Sequence, residues 1–420
     1  MSDNTRKIKV SQAGSGKPRV VSLPELTVDM RAGLLEVGIK AGLEVMAAMF
    51  ASDVETICGS RYEHRRLREA SRWGVAGGEV VLGGKKLRVR RPRVRSLSGK
   101  ELRLSSYEHF RGEDPLVERV LKQILLGVST RRYHRSLESG HLGLKMHGVS
   151  SSAVSRRFVA ATAERVAEWM GRSLEGLELV ALFLDGIGLG EHTVVAAIGI
   201  DTEGRKHALG IWEGATENAA VCQGLIDDLV SRGLRVDKAI LVVIDGSRAL
   251  RKVVKQSFGA NAVIQRCQKH KERNVRSHLP KGLQGVVGSQ MRRAYHSEDV
   301  NKARGILKGL ITRLRDTHPG AASSLEEGLG ETLTVIALKV PSQLRRSLGT
   351  TNVIESGMSI VRHVSRNVKR WRDGKMAVRW VAAGFIEVEK RFRCINGYKW
   401  IPQLVEALKE WRDIDKEDAA

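Results

Sequence analysis

Cysteine is scarce in this 420-residue sequence: Cys58, Cys222, Cys267 and Cys394 stand far apart with no CxxC pair. That pattern excludes a disulfide framework and fits a reducing compartment. No run of about 18 apolar residues occurs, so a membrane-spanning helix is not expected. Residues 1–20 lack the continuous apolar core of a secretory signal, and the expectation is a cytoplasmic protein whose first residues form a solvated arm. Repeats and low-complexity tracts are absent. So are a Walker lysine motif and a GxSxG elbow, which removes the common ATPase and hydrolase readings. Gly186, Gly188 and Gly190 cluster after a strand-like run, but not at the GxGxxG spacing of a dinucleotide site. Acidic charge is the last deficit. Against 71 Lys+Arg stand only 47 Asp+Glu, a net charge of +24, and the pI is near 10.2. Such a chain calls for a polyanionic partner, nucleic acid first and a membrane surface well behind it.

The length implies two or three folded units. Pattern divides the chain into a polar arm and helical segment (1–60), a basic β-hairpin region (61–110) and a helix-turn-helix-like DNA-binding region (111–175). After these come the first part of an α/β core (176–269), an all-helical stretch (270–347), the second part of the core (348–400), and a C-terminal helix with an acidic tail (401–420). In the hairpin region, Arg61 to Arg103 carries fourteen Lys/Arg against four Glu. The alternation of Leu87 and Val89 with Arg88 and Arg90 puts arginines on one strand face, suited either to phosphates or to a solvated edge. Pro115 to Gly127 reads as a helix, a short helix follows Ser129, and Ser150 to Ser152 open a third. In a helix-turn-helix the first turn of the last helix enters the major groove, so Ser152, Arg156 and Arg157 are the candidate DNA contacts.

From Leu179 the runs turn strand-like: Leu179–Leu184, Thr193–Ile200 and His207–Trp212. Then come a helix opened by Thr216 and Glu217, a strand Ala239–Ile244, a helix Ser247–Gln256 and a strand Ala262–Gln265. This order predicts a mixed sheet with helices on its faces. His270 to about Ser347 contains only helical patterns, broken at Pro280, Pro319-Gly320 and Pro341, and a helix from about Thr351 to Lys369 resumes the core.

Three carboxylates carry the candidate chemistry. Asp185 and Asp245 each end an apolar run at an Asp-Gly step, so neighbouring strands would present both at one sheet edge. Two adjacent carboxylates repel unless a cation lies between them. Glu355 lies on the later helix, with Ser359, Arg362 and Arg366 on its face and Lys369 and Arg370 beyond, a line of cations for a DNA path. All-oxygen ligands on separate elements suit Mg²⁺, which such sites share between carboxylates and substrate phosphates.

The stretches LFLDGIGLGEHTVVAAIGID, GRKHALGIWEGATEN, LVVIDGSRAL, QRCQKHKERNV and TTNVIES, followed by RNVKRWRDGKMAVRWVAA and RFRCINGY, resemble the Mutator-type family of insertion-sequence transposases over roughly residues 60 to 410. The resemblance implies an RNase H-like fold interrupted by a helical insertion. It also implies an Asp-Asp-Glu triad at Asp185, Asp245 and Glu355 that holds two divalent ions, Mg²⁺ or Mn²⁺. The implied partners are double-stranded DNA, as the terminal repeats of a mobile element and as target, and a second copy of the chain, at least a dimer on DNA, with the protein associated with the nucleoid. Cys267-x-x-His270 belongs to the same resemblance. Zinc would need two more ligands there, with His278 the nearest, and a packing or hydrogen-bonding role beside the site is the alternative.

Each choice has a competitor. A strand-end aspartate is often a turn or helix cap, and Glu326, Glu327 and Glu331 rival Glu355 as third ligand. The functional rival to a transposase is a catalytically silent DNA-binding regulator derived from one.

Overall fold

In the computed structural model the described residues are 7–10, 19–63, 69–82, 85–112, 151–216 and 218–411, and they divide into two compact units, Met1–Ala161 and Thr162–Ala420. The helices expected between Pro115 and Ser150 lie outside the described residues, as does the acidic tail from residue 412.

In the first unit, β1 (Lys7–Val10) and β2 (Arg19–Ser22) pair antiparallel, and a long helix α1 (Leu23–Cys58) follows. Next comes an antiparallel hairpin of β3 (Ala70–Leu82) and β4 (Lys85–Ser96), with a short β5 (Glu101–Leu102) beside β4 and a helix α2 (Ser105–Gly112). Met46, Phe50 and Val54 of α1 pack on Val80, Leu87 and Val94 of the hairpin and on Tyr107 and Phe110 of α2. The Asp53 carboxylate accepts hydrogen bonds from the Ser106 backbone N–H (2.8 Å) and hydroxyl (2.7 Å), tying α2 to α1. Leu87 is buried while Arg88 and Arg90 are exposed, so the basic face of β4 looks into solvent. Helix α3 (Ser151–Gly171) runs across the boundary between the units, with Val154 and Phe158 buried.

The second unit is built on a five-stranded mixed sheet in the order β10-β9-β6-β7-β8. Strands β6 (Leu179–Leu189), β7 (His192–Asp201) and β8 (Lys206–Gly214) form an antiparallel meander. Strands β9 (Ile240–Ile244) and β10 (Ala262–Arg266) run parallel to β6. Parallel strands need crossovers: α4 (Ala219–Ser231) leads to β9, and α5 (Arg248–Phe258) connects β9 to β10. Asn218 caps α4, accepting from the Val221 N–H at 3.0 Å, so the helix starts later than the expected Thr216; Glu217 is outside the described residues.

The period-two alternation of the strands sorts two apolar layers. Leu182, Leu184, Val242 and Ile244 face Leu225, Leu229, Val253 and Phe258 of α4 and α5. On the other face, Ala181, Phe183, Ile187, Leu241 and Val243 belong to a larger core. That core takes in α12 (Asn352–Ser365) and α13 (Gly374–Glu389) and six helices between β10 and α12: α6 (Gln268–Ser277), α7 (Lys281–Tyr295), α8 (Val300–Arg315), α9 (Pro319–Glu326), α10 (Leu329–Ala337) and α11 (Ser342–Leu348). Helix α14 (Ile401–Lys409) also packs there through Ile401, Leu404 and Leu408. Gly384 of α13 lies where a Cβ would sit 3.2 Å from the Val361 Cα, a clearance that lets α13 and α12 approach closely.

The outer edge of β10 is covered rather than open. Gln265, fully buried, donates to the Thr332 carbonyl (3.1 Å) and accepts from the Val335 N–H (2.9 Å), and the Thr334 hydroxyl donates to the Ile264 carbonyl (2.6 Å). Side chains thus satisfy an edge that would otherwise be a template for association. At the start of α10, Glu331 accepts from the Nε of Arg251 and of Arg266, both at 2.6 Å, and both Glu331 and Arg266 are buried. Gly328, at φ +64°, lets the chain pass where a Cβ would stand 2.5 Å from the Arg266 guanidinium carbon.

Two expected boundaries are corrected. Asp185 does not end its strand: β6 continues through Gly186 and Gly188 to Leu189, because Gly186 and Gly188 keep cross-strand partners in Val195 and Thr193. The turn falls at Gly190, whose φ of +66° suits the first position of a two-residue hairpin loop. Helix α12 ends at Ser365, not Lys369. The buried Ser365 hydroxyl bonds back to the Val361 carbonyl (2.8 Å), and Trp371 packs against Gly190, which turns the chain back to the hairpin.

Candidate active site

Strand parity puts Asp185 on the sheet face of Phe183 and Ile187, and Asp245 on the face of Leu241 and Val243. Both faces belong to the larger core. The parallel pairing Leu184↔Ile244 makes the two aspartates lateral neighbours. The Gly186 N–H donates to Asp185 Oδ1 (2.9 Å), and the Ser247 N–H donates to Asp245 Oδ1 (2.8 Å). Gly246, at φ +113°, turns the chain out of β9 immediately after Asp245.

Glu355 is delivered to the same face by α12, whose Ile354, Met358 and Val361 are anchored in the core. Thr351, fully buried one turn earlier, donates its hydroxyl proton to Glu355 Oε1 at 2.9 Å, with Cys267 Sγ at 3.3 Å and His270 Nδ1 at 3.4 Å also in reach. Cys267 occupies the bend between β10 and α6. Its backbone N–H donates to the Ile244 carbonyl (2.7 Å), and its sulfur accepts from the N–H groups of Thr351 (3.4 Å) and His270 (3.5 Å). His270 Nε2 lies 3.7 Å from Glu355 Oε1. The Cys267-x-x-His270 motif therefore works as a bracket between the end of β9 and the start of α12, with Thr351 as its third member. Thr351 was missed in the sequence reading, although its position four residues before Glu355 on a helix was a usable signal.

Burial, and next the neighbouring Asp245 carboxylate, push the Asp185 carboxyl up to about 7; Glu355 adds to the rise, while the Gly186 N–H and His270 oppose it. Burial raises the Cys267 thiol, but hydrogen bonds from His270 and Thr351 outweigh it and leave its pKa below the ordinary value. The His270 pKa is raised, first by its hydrogen bond with Cys267 against the effect of burial, then by the charges of Cys267, Asp185 and Asp245. The corner thus holds more carboxylate than its surroundings neutralise, a donor set that a hard divalent cation fits. Cys267, His270 and Glu355 also bring ligand atoms within 4.8 Å of one another, but the sulfur already accepts from the N–H groups of Thr351 and His270.

The raised Asp185 pKa has a consequence for stability. The folded chain keeps this proton up to about pH 7, whereas an ordinary aspartate loses it near 3.8. The folded state therefore binds more protons across that window, and its stability falls as pH rises through it. At about 1.4 kcal/mol per pKa unit, the loss over the whole window is on the order of 4 kcal/mol. Thermal unfolding of the metal-free protein should show a lower Tm at about pH 8 than at about pH 6, and Asp185→Asn should remove most of the difference. Parallel curves for wild type and variant would show that the crowded carboxyl is not its source.

The rival glutamates are engaged elsewhere: Glu331 by Arg251 and Arg266, Glu327 by Arg248, and Glu326 by Arg315. Among the candidate DNA contacts, Arg362 is exposed on α12 and Arg366, at its end, contacts His363. Lys369 and Arg370 are exposed but lie beyond the helix, so helical spacing does not align them with Glu355. Ser152 and Arg156 are exposed on α3; the Arg157 side chain is outside the described residues. Among the described residues, no helix is long and apolar enough to cross a membrane.

Among known proteins the chain is similar to transposases of insertion sequences. It is 31% identical over 268 residues to the transposase for insertion sequence element IS905 of Lactococcus lactis, covering 62% of this chain and 64% of that one. With the transposase for ISRM5 of Rhizobium meliloti it shares 26% identity over 392 residues, 91% of this chain and 94% of that one. The transposase for IS1081 of Mycobacterium tuberculosis is 26% identical over 389 residues, 90% and 89% of the two chains. Residues 29–394 match the family of Mutator transposases, and the chain belongs to that family.

Proposed function

We propose that the protein is a DDE-type transposase with an RNase H-like core interrupted by the α6–α11 helical insertion, and that Asp185, Asp245 and Glu355 form its catalytic triad. The observation that supports this most is the convergence of the three carboxylates on one sheet face, where burial and then the neighbouring carboxylates raise the Asp185 pKa. A half-buried mid-strand aspartate has no turn or cap to serve, which removes its ordinary structural role.

The reaction is phosphodiester hydrolysis followed by transesterification. Water attacks phosphorus at the element end, the P–O3′ bond breaks and a 3′-hydroxyl is released. That hydroxyl then attacks a phosphodiester of target DNA and displaces a second 3′-oxygen. Two Mg²⁺ or Mn²⁺ ions held by the triad would activate the attacking oxygen and stabilise the leaving one. Thr351 holds one Glu355 oxygen and so orients the carboxylate. His270, beside Glu355, offsets the local negative charge. The exposed Arg362 and Arg366, Lys369 and Arg370 beyond them, and Ser152, Arg156 and Arg157 are the proposed contacts to element and target DNA. The active assembly is at least a dimer, since two element ends are joined to one target.

The deciding test is incubation of the full chain with a plasmid carrying its element ends, with and without Mg²⁺. Metal-dependent nicking that leaves 3′-hydroxyls supports the reading. DNA binding without any cutting would favour the silent regulator. Thr351→Val, which keeps the shape but loses the proton donor, should slow nicking by about 10–100-fold, the range for groups that orient a metal ligand. Thr351→Ser should recover most of the rate; equal loss in both variants would point to packing instead.

A further inference from the structure

We infer that the outer face of α6, with the cavity beside it, is a binding track for a single DNA strand leaving the active site; this rests on the DNA-cleaving reading above. Helix α6 starts one residue after Cys267, and its His270 reaches Glu355. Lys269, Arg273 and Arg276 occupy positions i, i+4 and i+7, which form one stripe of a helix. Two cavities, of about 550 and 490 Å³, border this stripe and share Lys269 and Glu272, so they adjoin at α6. The larger is also lined by Arg292 of α7, Arg346 of α11, and Tyr295 and Val335, which supply apolar wall.

The charges around these cavities are poorly balanced. Arg273 and Arg346 are exposed and have no hydrogen-bond or ion-pair partner among the described residues. Lys269 donates only to the neutral Asn352 side chain, at 2.9 Å. Among these side chains Glu272 is the acid, and it is shared between Arg276 and Arg292. Unneutralised cations lining a concave surface focus an attractive field on an anion.

The shape selects the occupant. A cavity of this volume is of small-molecule size, enough for one nucleotide and far too small to take in a duplex. With a rise of about 1.5 Å per residue, the stripe places its cations roughly 6 and 4.5 Å apart along the axis, a spacing that follows successive phosphates of one strand. A base in the cavity and phosphates along α6 would fix the strand flanking the cleaved bond. Sequence-tolerant strand binding combines these same elements, a cationic groove and apolar platforms for bases.

The test uses the full-length protein and fluorescence anisotropy with an oligothymidylate of about 15 nucleotides and with duplex element-end DNA. The double variant Arg273→Ala/Arg346→Ala should bind the single strand roughly tenfold more weakly at physiological salt, and its log–log salt slope should shrink by about 1.4, the counterions of two phosphates. Duplex binding should stay within about twofold of wild type. Lys302→Ala/Lys308→Ala, which removes the same charge from α8, should leave the single strand bound as in wild type. The track is overturned if the α6/α11 double variant binds the strand as wild type does, or if the α8 control loses as much. A wild-type protein that binds single strands through this face but never nicks element-end DNA would instead sink the cleavage reading and leave the track standing.

Discussion

Asp185→Asn is expected to reduce metal-dependent strand cleavage by more than the roughly 100-fold that marks the upper end for groups that merely orient a ligand, while element-end DNA is still bound. The substitution keeps the shape of the side chain and its acceptor for the Gly186 N–H, but it removes the charge that a cation would engage. Asp245→Asn should behave alike, since its carboxylate lies beside Asp185 across the β6–β9 pair. The readouts are plasmid nicking and a mobility shift on the same preparations. A variant that still nicks at a tenth of the wild-type rate would take Asp185 out of the chemistry. Loss of binding in step with cutting would mean that the fold, rather than the site, had been damaged. The stability gain expected for this variant at alkaline pH separates the two cases, because a damaged fold would melt earlier, not later.

Glu331→Ala is expected to lower the stability of the second unit by about 3–5 kcal/mol, the cost of leaving a buried cation without its partner. Glu331 and Arg266 are both nearly sealed from solvent, and one carboxylate serves two guanidinium groups. Denaturant unfolding followed by circular dichroism gives the measurement. Replacing Glu331 and Arg266 together by leucine and methionine should recover much of the loss, because the penalty comes from the orphaned charge. A loss below about 1 kcal/mol would equate this buried pair with an exposed one.

The sequence carried the sheet well because strands and crossovers leave local marks. The runs at Leu179, Thr193, His207, Ala239 and Ala262 all correspond to strands, and Ser247 opens its helix where expected. It misled where tertiary packing outweighs local chemistry. Glycine after Asp185 read as a stop, yet a paired neighbour strand carries the ladder through two glycines. The end of α12 was hidden because nothing at Ser365 breaks a helix by itself; the departure comes from Trp371 packing on a distant hairpin. The three carboxylates could be chosen from the order of residues, but the Cys267–Thr351 bracket could not, since it joins segments eighty-four residues apart. Nor does spacing alone show that Glu331 is held between two arginines.

The path of the chain sets an order of events during its synthesis. All five strands leave the ribosome before α12, so a nascent chain can complete its sheet and expose two aspartates while Glu355 is still untranslated. A message broken before codon 350 would therefore yield a product with the basic hairpin and the sheet but without Glu355. Under the proposed function, such a fragment would keep the basic hairpin offered to DNA and lack one member of the triad, so premature termination by itself would make a competitor of the intact chain.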